Sequence, residues 1–203
     1  MEQNNQSYYS ETNLQPVGHS IEIFDNLLPK TTEDFLEKYI HNELRKELPP
    51  FPIHYIRNIN TIEDPREDVG FAHEMQKYQD NQTTPNTLSL LSPLFALSFH
   101  KNFIPFNIYT SRVFLQTPKL TEKNINIHTD LPHPHWVCLY YVNDSSGDTT
   151  FYELDKKTEI GKASPKKGRI VLFDGTIPHI GGVSTKSTRT VINISFNKYN
   201  LNK

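Results

Sequence analysis

Residues 125–154 read INIHTDLPHPHWVCLYYVNDSSGDTTFYEL, and this stretch decides the fold. It holds three short β-rich runs: Ile125 to His128, Trp136 to Val142 and Thr149 to Leu154. Asn143-Asp144-Ser145-Ser146-Gly147, a cluster of turn formers, separates the last two. The texture continues outward. Asn107 to Thr117 precedes it, and Arg169 to Phe173 and Thr190 to Phe196 follow, punctuated by Lys166-Lys167-Gly168, Asp174-Gly175 and Gly181-Gly182. Toward the N-terminus, Ile21, Ile23 and Phe24 read as a short strand. Thr31 or Thr32 then offers an N-cap to an amphipathic helix whose stripe is Phe35/Leu36, Tyr39/Ile40, Leu44 and Leu48, ended by Pro49 and Pro50. A second, partly helical segment spans 87–103, with Ser92 as N-cap and Pro93 at the first helical position. Residues 60–86 are polar and read as a long loop, a length that often marks a lid or binding segment. Helices followed by a run of strands predict a mainly β fold with a helical cover. The expected organisation is a disordered tail over 1–19 and one domain over 20–203. Within it, 20–105 forms the cover and loop and 106–198 the β core.

Composition excludes several classes. The 203 residues are 35% hydrophobic with a mean hydropathy of -0.60, and no stretch approaches the roughly 18 apolar residues of a membrane span. The polar start, Met1 to Ser10, carries no apolar h-region, so no secretory signal is expected. Cys138 is the single cysteine and forms no intrachain disulfide; it reads as a buried small hydrophobe. Together these point to a cytoplasmic protein with no membrane partner. The net charge is -2 and both signs are spread along the chain, which disfavours nucleic acid as a partner. One basic cluster, from Lys156 to Arg169, reads as a solvated hairpin face.

The residues that carry chemistry lie in the β half. In a strand, positions i and i+2 point to one face, so His128 and Asp130 can converge on one ion. Alone the pair is weak evidence, because chance supplies about 0.4 such tripeptides in a chain of this composition. His179 follows a strand and a turn, where the rim of a barrel would lie. Two histidines and a carboxylate make the facial triad of non-haem Fe(II) sites, with coordination positions left open. Arg189, ten residues after His179, can hold a carboxylate in a bidentate fork. Arg189, Val191, Asn193 and Ser195 share one strand face, and Ile192, Ile194 and Phe196 the other, so a polar lumen faces a dry core.

These residues carry a resemblance. His128-Thr129-Asp130, His179 and Arg189 look like the 2-oxoglutarate/Fe(II)-dependent dioxygenase superfamily, and more closely its prolyl 4-hydroxylase-like branch, including small phage-encoded members. Leu139 to Asn143, Gly147 to Tyr152 and Pro165 to Phe173 resemble that branch's YYLN-like strand, its Gly-Gly-x-Thr/Leu-x-Phe strand and its Pro-x-x-Gly-x-hydrophobic-Phe strand. The resemblance implies a double-stranded β-helix, a jelly-roll of cupin-like form. It also implies an enzyme, an oxidoreductase that uses Fe(II), with 2-oxoglutarate and O2 as cosubstrates and ascorbate as a candidate reductant. It makes His128, Asp130 and His179 both the metal ligands and the catalytic centre. Arg189 becomes the partner of the distal carboxylate of 2-oxoglutarate, and Tyr141 a further contact to it, with a plain core aromatic as the competing reading. Many relatives place a tyrosine in the strand before the motif; here Tyr109 is the candidate, with Gln116 as a substitute.

The primary substrate stays open between a peptide or protein side chain, most simply proline, and a small metabolite, lipid or nucleobase. A non-catalytic β-helix binding module is the remaining alternative. His133 and His135, in the Pro-stiffened loop after the motif, read as solvent-facing, with a substrate contact as the rival. His73 likewise reads as a solvated loop histidine.

Overall fold

The computed structural model describes residues 20–57, 69–76, 87–118 and 126–201; the expected tail over 1–19 and much of the expected loop lie outside these. The elements in chain order are β1 (Ile21–Phe24), α1 (Lys30–Ile40), β2 (His54–Arg57), β3 (Val69–Gln76), α2 (Thr87–Leu90), α3 (Ser92–Lys101) and β4 (Phe103–Gln116). They continue with β5 (Trp136–Tyr141), β6 (Thr149–Tyr152), β7 (Glu159–Ala163), β8 (Ile170–Asp174), β9 (His179–Gly181) and β10 (Arg189–Asn200). All pairings are antiparallel. A seven-stranded sheet in the order β1-β8-β5-β10-β4-β3-β2 faces a three-stranded sheet, β7-β6-β9.

Side-chain alternation builds two cores on opposite faces of the large sheet. Cys138 and Tyr140 of β5, Ile170 and Leu172 of β8, and Ile192, Ile194 and Phe196 of β10 join Leu36, Ile40, Leu94 and Leu97 of the helices. Val137, Leu139 and Tyr141, Val171 and Phe173, and Val191 point the other way, toward Phe151 and Ala163 of the small sheet. Cys138 is fully buried, and burial pushes its thiol pKa up, as suits an inert core position.

Several expectations need correction. The polar stretch 60–86 contains β3, which inserts between β2 and β4. His73 is therefore no solvated loop residue. It is 3% exposed on β3, its ring packs edge-on to Phe51 at 4.9 Å, and burial lowers its pKa. Helix α1 stops at Ile40 rather than Leu48, because Asn42 takes a left-handed conformation and its Oδ1 accepts from the Phe51 amide at 2.6 Å. Pro29, not Thr31 or Thr32, occupies its N-cap, and Leu91, not Ser92, that of α3. His128 makes an isolated bridge to His179 instead of ending a strand. The basic cluster is largely paired: Lys166 and Arg169 with Asp25, Lys167 with Asp34 and Glu37, and Lys162 with Glu159. Among the described residues no helix is long and apolar enough to cross a membrane.

Candidate metal centre

Adjacent strands of the large sheet, β4 and β10 foremost, build one wall of a cavity. Gln116, Phe114 and Arg112 of β4 lie opposite Arg189, Val191 and Asn193 of β10, and opposite Gly70, Ala72 and Glu74 of β3 on the other side. The cavity is about 280 Å³ and also takes Leu139, Thr149, Phe173 and Gly181 into its lining, with His128, Asp130 and His179. That is the low end of the usual range for small-ligand pockets.

His128, Asp130 and His179 bring one ligand atom each within 4.8 Å of one another. His128 Nε2 lies 3.9 Å from Asp130 Oδ1, and His179 Nε2 lies 3.8 Å from Asp130 Oδ2. The bridge between residues 128 and 179, with N···O distances of 3.0 and 2.9 Å, ties the motif to β9 and sets the two rings 4.9 Å apart. Both imidazoles are oriented the same way. His128 Nδ1 donates to the Asn126 carbonyl at 2.9 Å and His179 Nδ1 to that of Ile177 at 3.0 Å, which leaves each Nε2 lone pair toward the shared point. Burial lowers the His179 pKa and favours the neutral imidazole that ligates metal. Asn193 Nδ2 donates to Asp130 Oδ2 at 3.2 Å and fixes the carboxylate. The donor set suits a first-row divalent ion with open positions, so the residues fit iron.

Arg189 sits deeper and is 4% exposed. Its Nε donates to Gly147 O at 3.0 Å, Nη1 to Gln116 Oε1 at 3.2 Å and Nη2 to Thr149 Oγ1 at 2.9 Å. No carboxylate among the described residues pairs with it, and burial pulls its pKa down. Its hydrogen bonds all go to neutral acceptors and Asp148 acts on it only without a contact, so an anion entering the cavity would supply a direct counter-ion. Tyr141 lies behind this group. Its ring is 5.5 Å from the guanidinium carbon, and its hydroxyl reaches Thr149 Oγ1 at 2.7 Å and Ala163 O at 3.0 Å, away from the cavity lining.

Of the two candidates before the motif, Gln116 lines the cavity, whereas Tyr109 packs on His133 at 4.7 Å and accepts from Asn197. His135 is 1% exposed, not solvent-facing; its Nδ1 donates to the His133 carbonyl and its ring lies over Gly175. Neither His133 nor His135 joins the metal group. Sequence reasoning missed Thr149 and Arg112. Arg112 shares its strand face with Gln116, an alternation readable within the expected strand Asn107 to Thr117.

No protein-family model matches the chain, and no curated protein matches it in sequence. Solved structures do match. A prolyl hydroxylase of Trichoplax adhaerens, in complex with a peptide of the hypoxia-inducible-factor oxygen degradation domain, aligns with a TM-score of 0.60 at 15% identity, over 87% of this chain and 83% of that one. The non-haem α-ketoglutarate-dependent carbocyclase SnoK of nogalamycin biosynthesis gives 0.61 at 16%, over 88% and 79%. A viral collagen prolyl hydroxylase of Paramecium bursaria Chlorella virus-1, solved with 2-oxoglutarate, gives 0.51 at 17%, over 87% and 95%. The likeness is one of fold: the chain adopts the double-stranded β-helix of these oxygenases.

Proposed function

We propose that this protein is an Fe(II)- and 2-oxoglutarate-dependent oxygenase that hydroxylates a C–H bond. One observation carries the reading: a two-histidine, one-carboxylate donor set shares a cavity with a buried arginine that no described carboxylate neutralises. Iron, when bound with 2-oxoglutarate and O2, supplies the oxidising chemistry; one oxygen atom goes to succinate, with loss of CO2, and the other to the substrate.

The chain's own residues bind, orient and exclude water. His128, Asp130 and His179 hold the metal on one side and leave the opposite side open. Arg189 takes the distal carboxylate of the cosubstrate and thereby aims its keto acid end at the metal. Thr149 and Gln116 hold the guanidinium in place, and Tyr141 supports Thr149 from behind. Phe114, Leu139, Phe173 and Val191 close the cavity with apolar surface, which keeps water from the reacting end. Ascorbate serves as a reductant that keeps iron ferrous.

The test is succinate release with Fe(II), ascorbate and 2-oxoglutarate, under air and under nitrogen, for wild type and Asp130→Ala. Turnover requires O2 and iron, is blocked by Zn(II), and disappears in Asp130→Ala, which leaves a two-histidine site. Turnover that persists in the variant, or that needs no iron, would refute the reading.

A further inference from the structure

The proposal here rests on the iron and cosubstrate reading and concerns the end of the cavity that reading leaves unassigned. Four residues of β4 separate the rung of Gln116 and Arg189 from the rung of Arg112 and Asn193, about 14 Å of strand. The metal donors lie beside the second rung, because Asn193 donates to Asp130 at 3.2 Å. Two guanidiniums therefore stand on one wall, Arg112 level with the candidate metal ligands and Arg189 four residues along from them. Arg189 stands at the deep end, and the Arg112 side chain, 36% exposed, at the mouth.

Among the described residues, nothing takes up the fork of Arg112. Its Nε lies 3.2 Å from Glu74 Oε1, near enough for an ion pair but off the line of a hydrogen bond, and that nitrogen is itself buried. No described residue accepts a hydrogen bond from its Nη groups. An ion pair with a carboxylate as exposed as Glu74, at 42%, is weak and screened. A planar set of free N–H donors complements a carboxylate, and Asn193, with its amide nitrogen committed to Asp130, adds no competing cation. An apolar substrate surface would strip water from this guanidinium without replacing its hydrogen bonds, and a neutral oxygen would replace them without meeting its charge.

We propose that Arg112 anchors a carboxylate of the primary substrate, so that the substrate is an acid whose C–H bond is held over the metal. That carboxylate belongs either to a small free acid or to an acidic side chain of a peptide. Both sources offer Arg112 the same two oxygens.

The experiment has two stages. Succinate release by the Fe(II)-loaded wild type under air, with no added substrate, tests the underlying reading; its absence removes both that reading and this one. Saturation-transfer NMR then uses Zn(II)-loaded protein with 2-oxoglutarate, where nothing turns over. N-acetyl amino acids are compared with their primary amides, and capped tripeptides bearing Asp or Glu with those bearing Asn or Gln. At least one acid is expected to bind about tenfold more tightly than its amide, and the arm in which it occurs identifies the source. Arg112→Gln should bring that ratio to about one, while Arg112→Lys, which keeps the charge, should retain part of it. Equal binding of acids and amides, or no acid bound by a protein that releases succinate, would overturn the proposal. So would a preference unchanged in Arg112→Gln, or a tenfold loss of 2-oxoglutarate affinity in its place, which would assign the guanidinium to the cosubstrate.

Discussion

Arg189 commits three N–H donors to Gly147 O, Gln116 Oε1 and Thr149 Oγ1, and a guanidinium has five. The two that remain are what a carboxylate in the cavity would meet. Arg189→Lys keeps the charge but loses the fork, and one ammonium cannot serve three fixed acceptors as well as a ligand. The expected result is a rise in the Michaelis constant for 2-oxoglutarate of about 13- to 160-fold, the loss of one charge-assisted hydrogen bond of about 1.5–3 kcal/mol. Tyr141→Phe should move the same constant less, about 2- to 13-fold, because it removes a neutral hydrogen bond of about 0.5–1.5 kcal/mol. On the proposed reading Tyr141 would be a positioning residue, since its hydroxyl touches Thr149 and Ala163 and its ring lies beside the Arg189 guanidinium. Steady-state kinetics on the two variants decides it: equal constants for wild type and Arg189→Lys would count against the role. Arg189 was legible in the sequence by its offset from His179 and its polar strand face. The depth of Tyr141 was not, because period 2 gives a face without saying how far a cavity reaches along it.

At the scale of elements, the turn Asn143 to Gly147 packs against the chain leaving β9 at Gly182. Gly147 has φ +89, and a Cβ there would stand 2.6 Å from Gly182 O and 2.7 Å from Val183 C. Both atoms are backbone, so the two segments would have to part. The Gly147 carbonyl also accepts from Arg189 Nε, which couples this turn to the pocket. Gly147→Ala should therefore destabilise the protein by about 1–3 kcal/mol and raise the Michaelis constant for 2-oxoglutarate. For a chain of this size that loss lowers Tm by roughly 2–4 °C per kcal/mol. Gly161→Ala is the control, since its Cβ would meet nothing nearer than 3.9 Å. Thermal unfolding of both variants checks the claim, and equal Tm values would sink it. The connection Asn143 to Gly147 was readable from its Asn, Asp, Ser and Gly residues, whereas Gly181, expected in a turn, closes strand β9. Strand β3 was overlooked although its pattern is present: Val69, Phe71, His73 and Met75 alternate with Gly70, Ala72, Glu74 and Gln76. The run is short and lies inside the long polar stretch 60–86, whose composition reads as a loop. Strand β7 was missed for a related reason, since Glu159 to Ala163 form an edge with exposed charged residues.

At the scale of the molecule, the candidate metal centre joins segments that regular structure holds only lightly. Residue 128 is tied by one bridge to β9, residue 130 lies in a bend, and β9 is three residues of the small sheet. The layers themselves were legible, because the alternation of Ile192, Ile194 and Phe196 against Val191 and Asn193 already separates a dry face from a lumen. What closes the lumen was less so. His128 and His179 are 51 residues apart, and their contact depends on how two sheets face each other. A bound ion would cross-link the 126–130 segment to β9 and should stabilise the native state by mass action. At about 100 times the dissociation constant the gain is about 2.7 kcal/mol. With roughly 2–4 °C per kcal/mol, Tm should rise by about 5–11 °C on adding Zn(II), or Fe(II) under nitrogen. A chelator should reverse the rise. Asp130→Ala should keep only a small part of it, because two neutral imidazoles without the carboxylate make a much weaker site. Differential scanning fluorimetry on apo and metal-loaded protein measures this with no turnover involved. A Tm indifferent to metal and chelator, in protein whose far-ultraviolet spectrum shows it folded, would mean that the three side chains converge without holding an ion.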